Sequence, residues 1–272
     1  MQLPKPLTSF HLRTIALISM FIDHFAKAFL GDLLNASHTV TNAMRSSSAL
    51  RDVVLVAAHR NQGTLWMLFD ISHWIGRLAF PLYCFLLVQG FLHTRSKPKY
   101  ALRLGILALL SEIPFDLAFF DTVLEFRNNN VFFTLLAGLL LIWGVSSLET
   151  LLARRMDGRA LRYAAMAAGT IVLWMAACML MTGVLCSDYG SSGITTILAM
   201  YLLRRLPCAG MAAGCTALMV LNLSIEQIFG FFALIPTALY GGKKGPSAKA
   251  FYYLFYPVHL LLFVLLRALL NI

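Results

Sequence analysis

Residues 12–30 read LRTIALISMFIDHFAKAFL. The run approaches the roughly 20 apolar residues that a bilayer-crossing helix needs. It is not a cleavable signal, because Asp23, His24 and Lys27 lie inside it and no small-residue cleavage site follows the apolar stretch. Comparable segments recur at about 73–92, 100–120, 130–148, 163–186, 192–204, 208–222, 226–240 and 251–271. The sixth, seventh and eighth are short. The 272 residues are 59% hydrophobic and 12% charged, with a mean hydropathy of +0.76. Soluble domains carry about twice that charge. Disordered chains, coiled coils and ordinary soluble enzymes are thereby excluded. The expected fold is all-α: a polytopic integral membrane helical bundle of about nine transmembrane helices, forming one domain over 1–272.

The net charge of +10 is explained by where the charges fall. With the N-terminus in the cytoplasm, the inner segments hold Lys5, Arg13, Arg95, Lys97, Lys99, Arg103, Arg154, Arg155, Arg159, Arg162, Arg204, Arg205, Lys243, Lys244 and Lys249, against Glu149 and Asp157. The outer segments hold Arg45, Arg51, Arg60 and Arg127 against seven acids: Asp32, Asp52, Asp70, Asp121, Glu125, Asp188 and Glu226. This asymmetry is the positive-inside pattern, and with nine spans it puts the C-terminus outside. The basic excess then reflects topology and contact with anionic lipids, not a nucleic-acid surface. The expected location is the cytoplasmic (inner) membrane, multi-pass. An extracytoplasmic loop of about 31–72 is expected to be partly ordered, with a short amphipathic helix. Five cysteines without a CxxC pair indicate neither a disulfide framework nor a zinc site, and no metal is expected.

Ionisable groups in spans are costly and usually face a bundle interior or a watery cavity. Here they are Asp23, His24 and Lys27 in span 1, Arg77 in span 2, Glu112 and Asp116 in span 3, and His259 and Arg267 in span 9. Glu112 and Asp116 share a helix face at i, i+4. By the direction of each span, His24, Arg77, Glu112, Asp116 and Asn130 all fall in an outer-half layer. Bland readings stand beside the functional ones. Asp23 and Lys27, also i, i+4, can neutralise each other; His24 can serve as an interhelical donor; Arg77 can clamp a carboxylate such as Glu112 or Asp116. Arg267 reads as structural.

The inner rim carries Arg13, Lys99 and Arg103, with Tyr252, Tyr253 and Tyr256 where span 9 begins. By default such cations mark topology. They would also make a cradle for a phosphate-rich cytosolic ligand. Arg13 and His24 are eleven residues apart, roughly 16 Å along a helix. Coenzyme A has the matching shape: phosphates at one end, a thin pantetheine arm, a thioester at the tip.

The runs TIALISMFIDHFAK (14–27), GRLAFPLYCFLLVQGFLHTRS (76–96), KYALRLGILALLSEIPFDLAF (99–119), NNVFFTLLAGLL (129–140) and FYYLFYPVHLLLF (251–263) resemble the TraX family, whose name comes from pilin acetylation in conjugation. The resemblance touches nearly the whole chain, and RLAFPLY, SEIPFD and FYPVHL are its most specific blocks. The family looks related to a wider class of membrane-spanning acyltransferases, which carry an acyl group from a cytosolic thioester to an acceptor across the bilayer. In that class an arginine and a histidine of the first span are separated by ten residues, the spacing of Arg13 and His24. The class often has an arginine pair on the third span; here Lys99 and Arg103 stand in its place.

The resemblance implies an integral membrane acetyltransferase using acetyl-CoA as acyl donor. Arg13, Lys99 and Arg103 would hold the donor phosphates, with Tyr252 and Tyr256 lining the cradle. His24 would be general base or acetyl carrier. Glu112 or Asp116 would orient its imidazole or bind a cationic amine, and Arg77 or Asn130 would stabilise the oxyanion. His259, read as nearer the inner half, would bind donor or pack. The acceptor would be an amine or hydroxyl, a protein N-terminus such as pilin's or a surface glycan, on the outer side. Two other classes remain open from the residues: a proton-coupled transporter or flippase with His24, Glu112 and Asp116 as relay, and a non-catalytic partner of a surface-assembly system.

Overall fold

The computed structural model describes residues 5–45 and 47–272. Most of it is helical, and no β-strand occurs among the described residues. Besides a single turn at Asn42–Arg45, in chain order the helices are α1 (Ser9–Ser37), α2 (Leu50–Arg60), α3 (Gln62–His93), α4 (Lys97–Phe119), α5 (Val131–Arg155), α6 (Arg159–Leu185), α7 (Gly190–Leu202), α8 (Pro207–Leu221), α9 (Ile225–Ala238) and α10 (Lys249–Leu270). Each of the nine expected apolar segments is a helix.

Local sequence explains the boundaries. Ser96 accepts the Lys99 amide at the start of α4, with Pro98 in its first turn, and Asn130 accepts the Phe132 amide at the start of α5. Pro207 opens α8, where its missing N–H costs nothing. Within α3 the chain turns at Arg77 and Leu78. Pro81 lacks the N–H that would reach the Arg77 carbonyl, so the ladder loosens there. A π-turn, Ala26–Leu30, lies within α1 just beyond His24; such bulges often accompany functional sites.

The helices after α2 alternate in direction between a Ser9 end and a Ser37 end. At the Ser9 end, Ser9 bonds the Tyr240 hydroxyl at 2.9 Å, Thr14 bonds Tyr252 at 3.0 Å, and Arg204 pairs with Glu149 at 3.0 Å. At the Ser37 end, buried Arg267 pairs with Asp32 and, at 2.8 Å, with Asp121, and it donates to the Leu117 carbonyl. The structural reading of Arg267 matches this clamp.

Five helices, α1, α3, α5, α6 and most of α10 (Ala250–Leu270), are long and apolar enough to cross a membrane, so this is a helical membrane protein. The other four expected spans differ for identifiable reasons. Helix α4 has the length but carries Lys97, Lys99, Arg103, Glu112 and Asp116. Helices α7, α8 and α9, the last 3-10 helical over Ile225–Ala233, rise only about 20–25 Å, less than the ~30 Å hydrocarbon core. Helix α7 is largely buried, from Ser192 to Tyr201, and Gly193 lets Thr134 and Phe80 approach where a side chain would collide. It is a central packing element. Helix α6 is the opposite: no residue of Arg159–Leu180 is buried, as expected of a lipid-facing helix.

The stretch 31–72 is more helical than a partly ordered loop. Helix α1 runs on to Ser37 and α3 begins at Gln62. Between them α2 closes a small core of Leu30, Leu34 and Leu55. The apolar residues of VVLVAA and LWMLF therefore form a helical cap and the first turns of α3.

Candidate active site

Helices α1 and α10 run parallel, and the Thr14–Tyr252 bond sets their register. Continuing toward the Ser37 end, that register brings His24 against His259. His24 Nδ1 lies 2.9 Å from His259 Nε2, and the rings stack with centroids 5.1 Å apart and planes 8° from parallel. His259 Nδ1 in turn lies 2.7 Å from the Phe255 carbonyl. A carbonyl only accepts, so His259 Nδ1 carries a hydrogen. In a neutral ring its Nε2 is then an acceptor, and His24 Nδ1 must be the donor. The chain of bonds leaves His24 Nε2 with a free lone pair. Phe119 and Tyr256 pack edge-on against His24 at 5.4 and 5.6 Å.

Placing His259 in the half nearer the Ser9 end is therefore corrected: it sits at the level of His24. The same holds for Tyr256. It is 2% exposed, stacks edge-on against Phe132 at 4.7 Å and belongs to the histidine pair, not to a rim cradle. The parallel register is the reason, because α10 already begins near Thr14.

At the Ser9 end, the Arg13 guanidinium lies 6.0 Å from the Tyr252 ring centre, and Tyr100 is within its electrostatic reach. Tyr83 packs against the apolar cluster that holds Tyr256. Tyr252 beside Arg13, then Tyr83, then Tyr256 beside His24 form a tyrosine seam. Lys99 and Arg103 are exposed on the outer face of α4; they share the end with Arg13 but touch no common group.

Glu112, Asp116 and Asn130 do come together, though not on His24. Asn130 is fully buried. Its amide group donates to the Ala108 carbonyl at 2.8 Å and to Glu112, and its own N–H reaches Glu112 at 3.2 Å. Asp116 accepts the Glu125 N–H at 2.8 Å. These carboxylates fasten the 120–130 turn to α4. Their expected partnership with the imidazole is corrected, as is the oxyanion role of Asn130, whose two amide donors are already spent.

Arg77 is paired with neither carboxylate. Its Nη2 contacts His73 and lies 4.0 Å from Glu226. His73 bonds Asp23 at 2.9 Å and Glu226 at 3.3 Å, and Asp23 pairs with Lys27 at 2.9 Å. The Asp23–Lys27 neutralisation read from spacing is present, within a larger cluster joining α1, α3 and α9. Asp188, in the turn before α7, is exposed and is electrostatically coupled to this cluster. Sequence reading missed His73, Glu226 and Asp188 because each stands at the edge of an apolar run. For His73 a signal existed: it lies one turn before Arg77, on the same helix face.

The chain matches the TraX protein family across residues 9–267. The chain belongs to the TraX family. A relative, the "Probable fimbrial assembly protein FimC, serogroup H1" of Dichelobacter nodosus, is 28% identical over 273 residues, covering 94% of this chain and 93% of that protein. No solved structure matches. In TraX terms, the His24–His259 pair and the tyrosine seam are built from the TIALISMFIDHFAK, RLAFPLY and FYYLFYPVHLLLF stretches that carry the resemblance. The Asp23 cluster adds residues from α9 that lie outside those blocks.

Proposed function

We propose that this TraX-family protein is an integral membrane acetyltransferase of the cytoplasmic membrane, taking acetyl groups from cytosolic acetyl-CoA. The observation that carries the reading is the free Nε2 of His24, fixed by the bond to His259 and the Phe255 carbonyl. An acceptor amine attacks the thioester carbonyl while His24 Nε2 takes its proton. The tetrahedral intermediate collapses, the C–S bond breaks, and the coenzyme A thiolate recovers the proton from the imidazolium. Acetylated acceptor and free thiol are the products. A hydroxyl acceptor follows the same course. Imidazole suits the task because its unperturbed pKa lies near neutrality.

With the N-terminus inside, the donor phosphates meet Arg13 at the Ser9 end, and Lys99 and Arg103 widen the positive rim. The pantetheine arm follows Tyr252, Tyr83 and Tyr256 toward His24. The acceptor approaches from the Ser37 end, outside. Pilin is supported as acceptor by the family's name and by the fimbrial assembly name of the relative; a surface glycan fits the same geometry.

That relative's name also favours a second reading, a non-catalytic member of a pilus-assembly system. Purified protein in nanodiscs with acetyl-labelled coenzyme A separates the two. The enzyme binds the donor and turns it over with wild-type His24 but not His24→Ala. A well-folded wild type that never binds the donor overturns the acetyltransferase reading.

A further inference from the structure

The outer face of α3 and α9 carries a groove of about 500 Å³. Ile71, Trp74, Ile75, Phe229, Phe232 and, from α1, Ile15 line it. Trp74 stacks on Phe229 at 4.9 Å, and Trp74 and Phe232 remain 37% and 54% exposed. The groove begins beside His73, Arg77 and Glu226, which alternate with its lining residues on the same two helices. It descends along α1 from the level of Asp23 to Ile15, eight residues and about 12 Å, toward the middle of the bundle. A polar head above a descending apolar trough is the shape of a lipid in the leaflet at the Ser37 end. Two turns of an α-helix would fill about 850 Å³, so the groove favours a hydrocarbon chain.

The polar end is incompletely paired with both signs of charge. Arg77 Nε is buried and has no hydrogen-bond partner. Glu226 uses Oε2 for both His73 and Arg77, and its side chain is 49% exposed. Its Oε1 has no partner among the described residues. A buried guanidinium N–H calls for an anionic oxygen; a half-open carboxylate oxygen calls for a cationic donor. One ligand head supplies both: a phosphate beside a primary ammonium.

We propose that this face is a seat for a phosphoethanolamine lipid, its chain in the Trp74–Phe229 groove, its phosphate on Arg77 and its ammonium on Glu226. A primary ammonium offers three N–H donors. Phosphocholine has none, and phosphoglycerol brings no cation to Glu226. This inference goes beyond the acetyltransferase reading, since it uses neither His24 nor an acyl donor.

The test is lipid competition on the full-length protein. Protein is equilibrated with equal amounts of phosphatidylethanolamine, phosphatidylcholine and phosphatidylglycerol of identical chains, and the retained lipid is counted by native mass spectrometry. Wild type is expected to keep phosphatidylethanolamine at least fivefold over each competitor. Glu226→Gln should bring phosphatidylethanolamine and phosphatidylcholine level, Glu226→Asp should keep the preference, and Trp74→Ala should lower retention of all three. His24→Ala should keep the preference while losing acetyl transfer, which separates failure of one reading from failure of the other. Equal retention of the three lipids by wild type overturns the proposal. So does a preference that survives Glu226→Gln. If Glu226→Gln does not elute as a monodisperse species, the wild-type preference and the Trp74→Ala loss decide the matter.

Discussion

His24 and His259, on the first and last helices, lie 2.9 Å apart through Nδ1 and Nε2, with their rings nearly parallel. The Phe255 carbonyl at the far end of this pair fixes the direction of every bond in it. Two residues separated by most of the chain thus form one hydrogen-bonded pair, and under the proposed acetyltransferase reading the consequences differ when each is removed.

His24→Ala removes the proposed base. Acetyl transfer should fall by about 10²–10⁴-fold, with donor binding at the Ser9 end intact. His259→Ala removes only the group that orients it. It should lower kcat by on the order of tenfold or more while leaving KM for the donor nearly unchanged. Nitrogen chemical shifts in wild type should report His259 with its proton on Nδ1; a proton on Nε2 would contradict the bond direction derived above.

Asn130 and Glu112 should behave as structural residues. Asn130→Ala removes the α5 cap and should cost about 0.5–2 kcal/mol. Any loss of activity should follow the loss of folded protein, measured as activity per correctly folded molecule across a thermal series. A large fall in turnover at unchanged stability would return Asn130 to the reaction.

Gly76 permits the close approach of α3 to α1. A Cβ there would collide with the Cβ of Asp23 itself, not with the far end of a flexible side chain. Gly76→Ala should destabilise by about 1–3 kcal/mol, read as a lower melting temperature in nanodiscs, and should separate Asp23 from His73. An unchanged melting temperature would show that α1 and α3 can move apart freely.

Arg267→Met should detach the Ser37 ends of α1, α4 and α10. It strips charged hydrogen bonds from Asp32, Asp121 and the Leu117 carbonyl. The cost should be about 1–3 kcal/mol, toward the lower end because both carboxylates reach solvent. Faster proteolysis at 120–130 than in wild type is the expected readout.

The charge pattern predicts the sidedness of the two termini. A reporter after Ile272 should be extracytoplasmic and one before Lys5 cytoplasmic, as an odd number of crossings requires. Both reporters on one side would mean that one of the short helices α7, α8 or α9 turns back without crossing.

Helical segments and their order were legible in the residues, because hydrophobic length is a property of the chain alone and the bilayer imposes one length on every crossing. The TraX blocks were legible for the same reason: they are contiguous. His24 stood out because an ionisable group inside an apolar run is conspicuous wherever it ends up. What it would touch was not legible. Its partner is 235 positions away, and only the parallel register of α1 and α10 brings His259 to it, Glu112 and Asp116 being drawn off to the 120–130 turn. His73 and Glu226 were missed because they border apolar runs and become a site only where α3 crosses α1 and α9. Composition and spacing determine which segments leave water; which polar groups then meet is decided by helix register and packing, since each buried charge takes whatever partner the tertiary fold puts within a few ångströms.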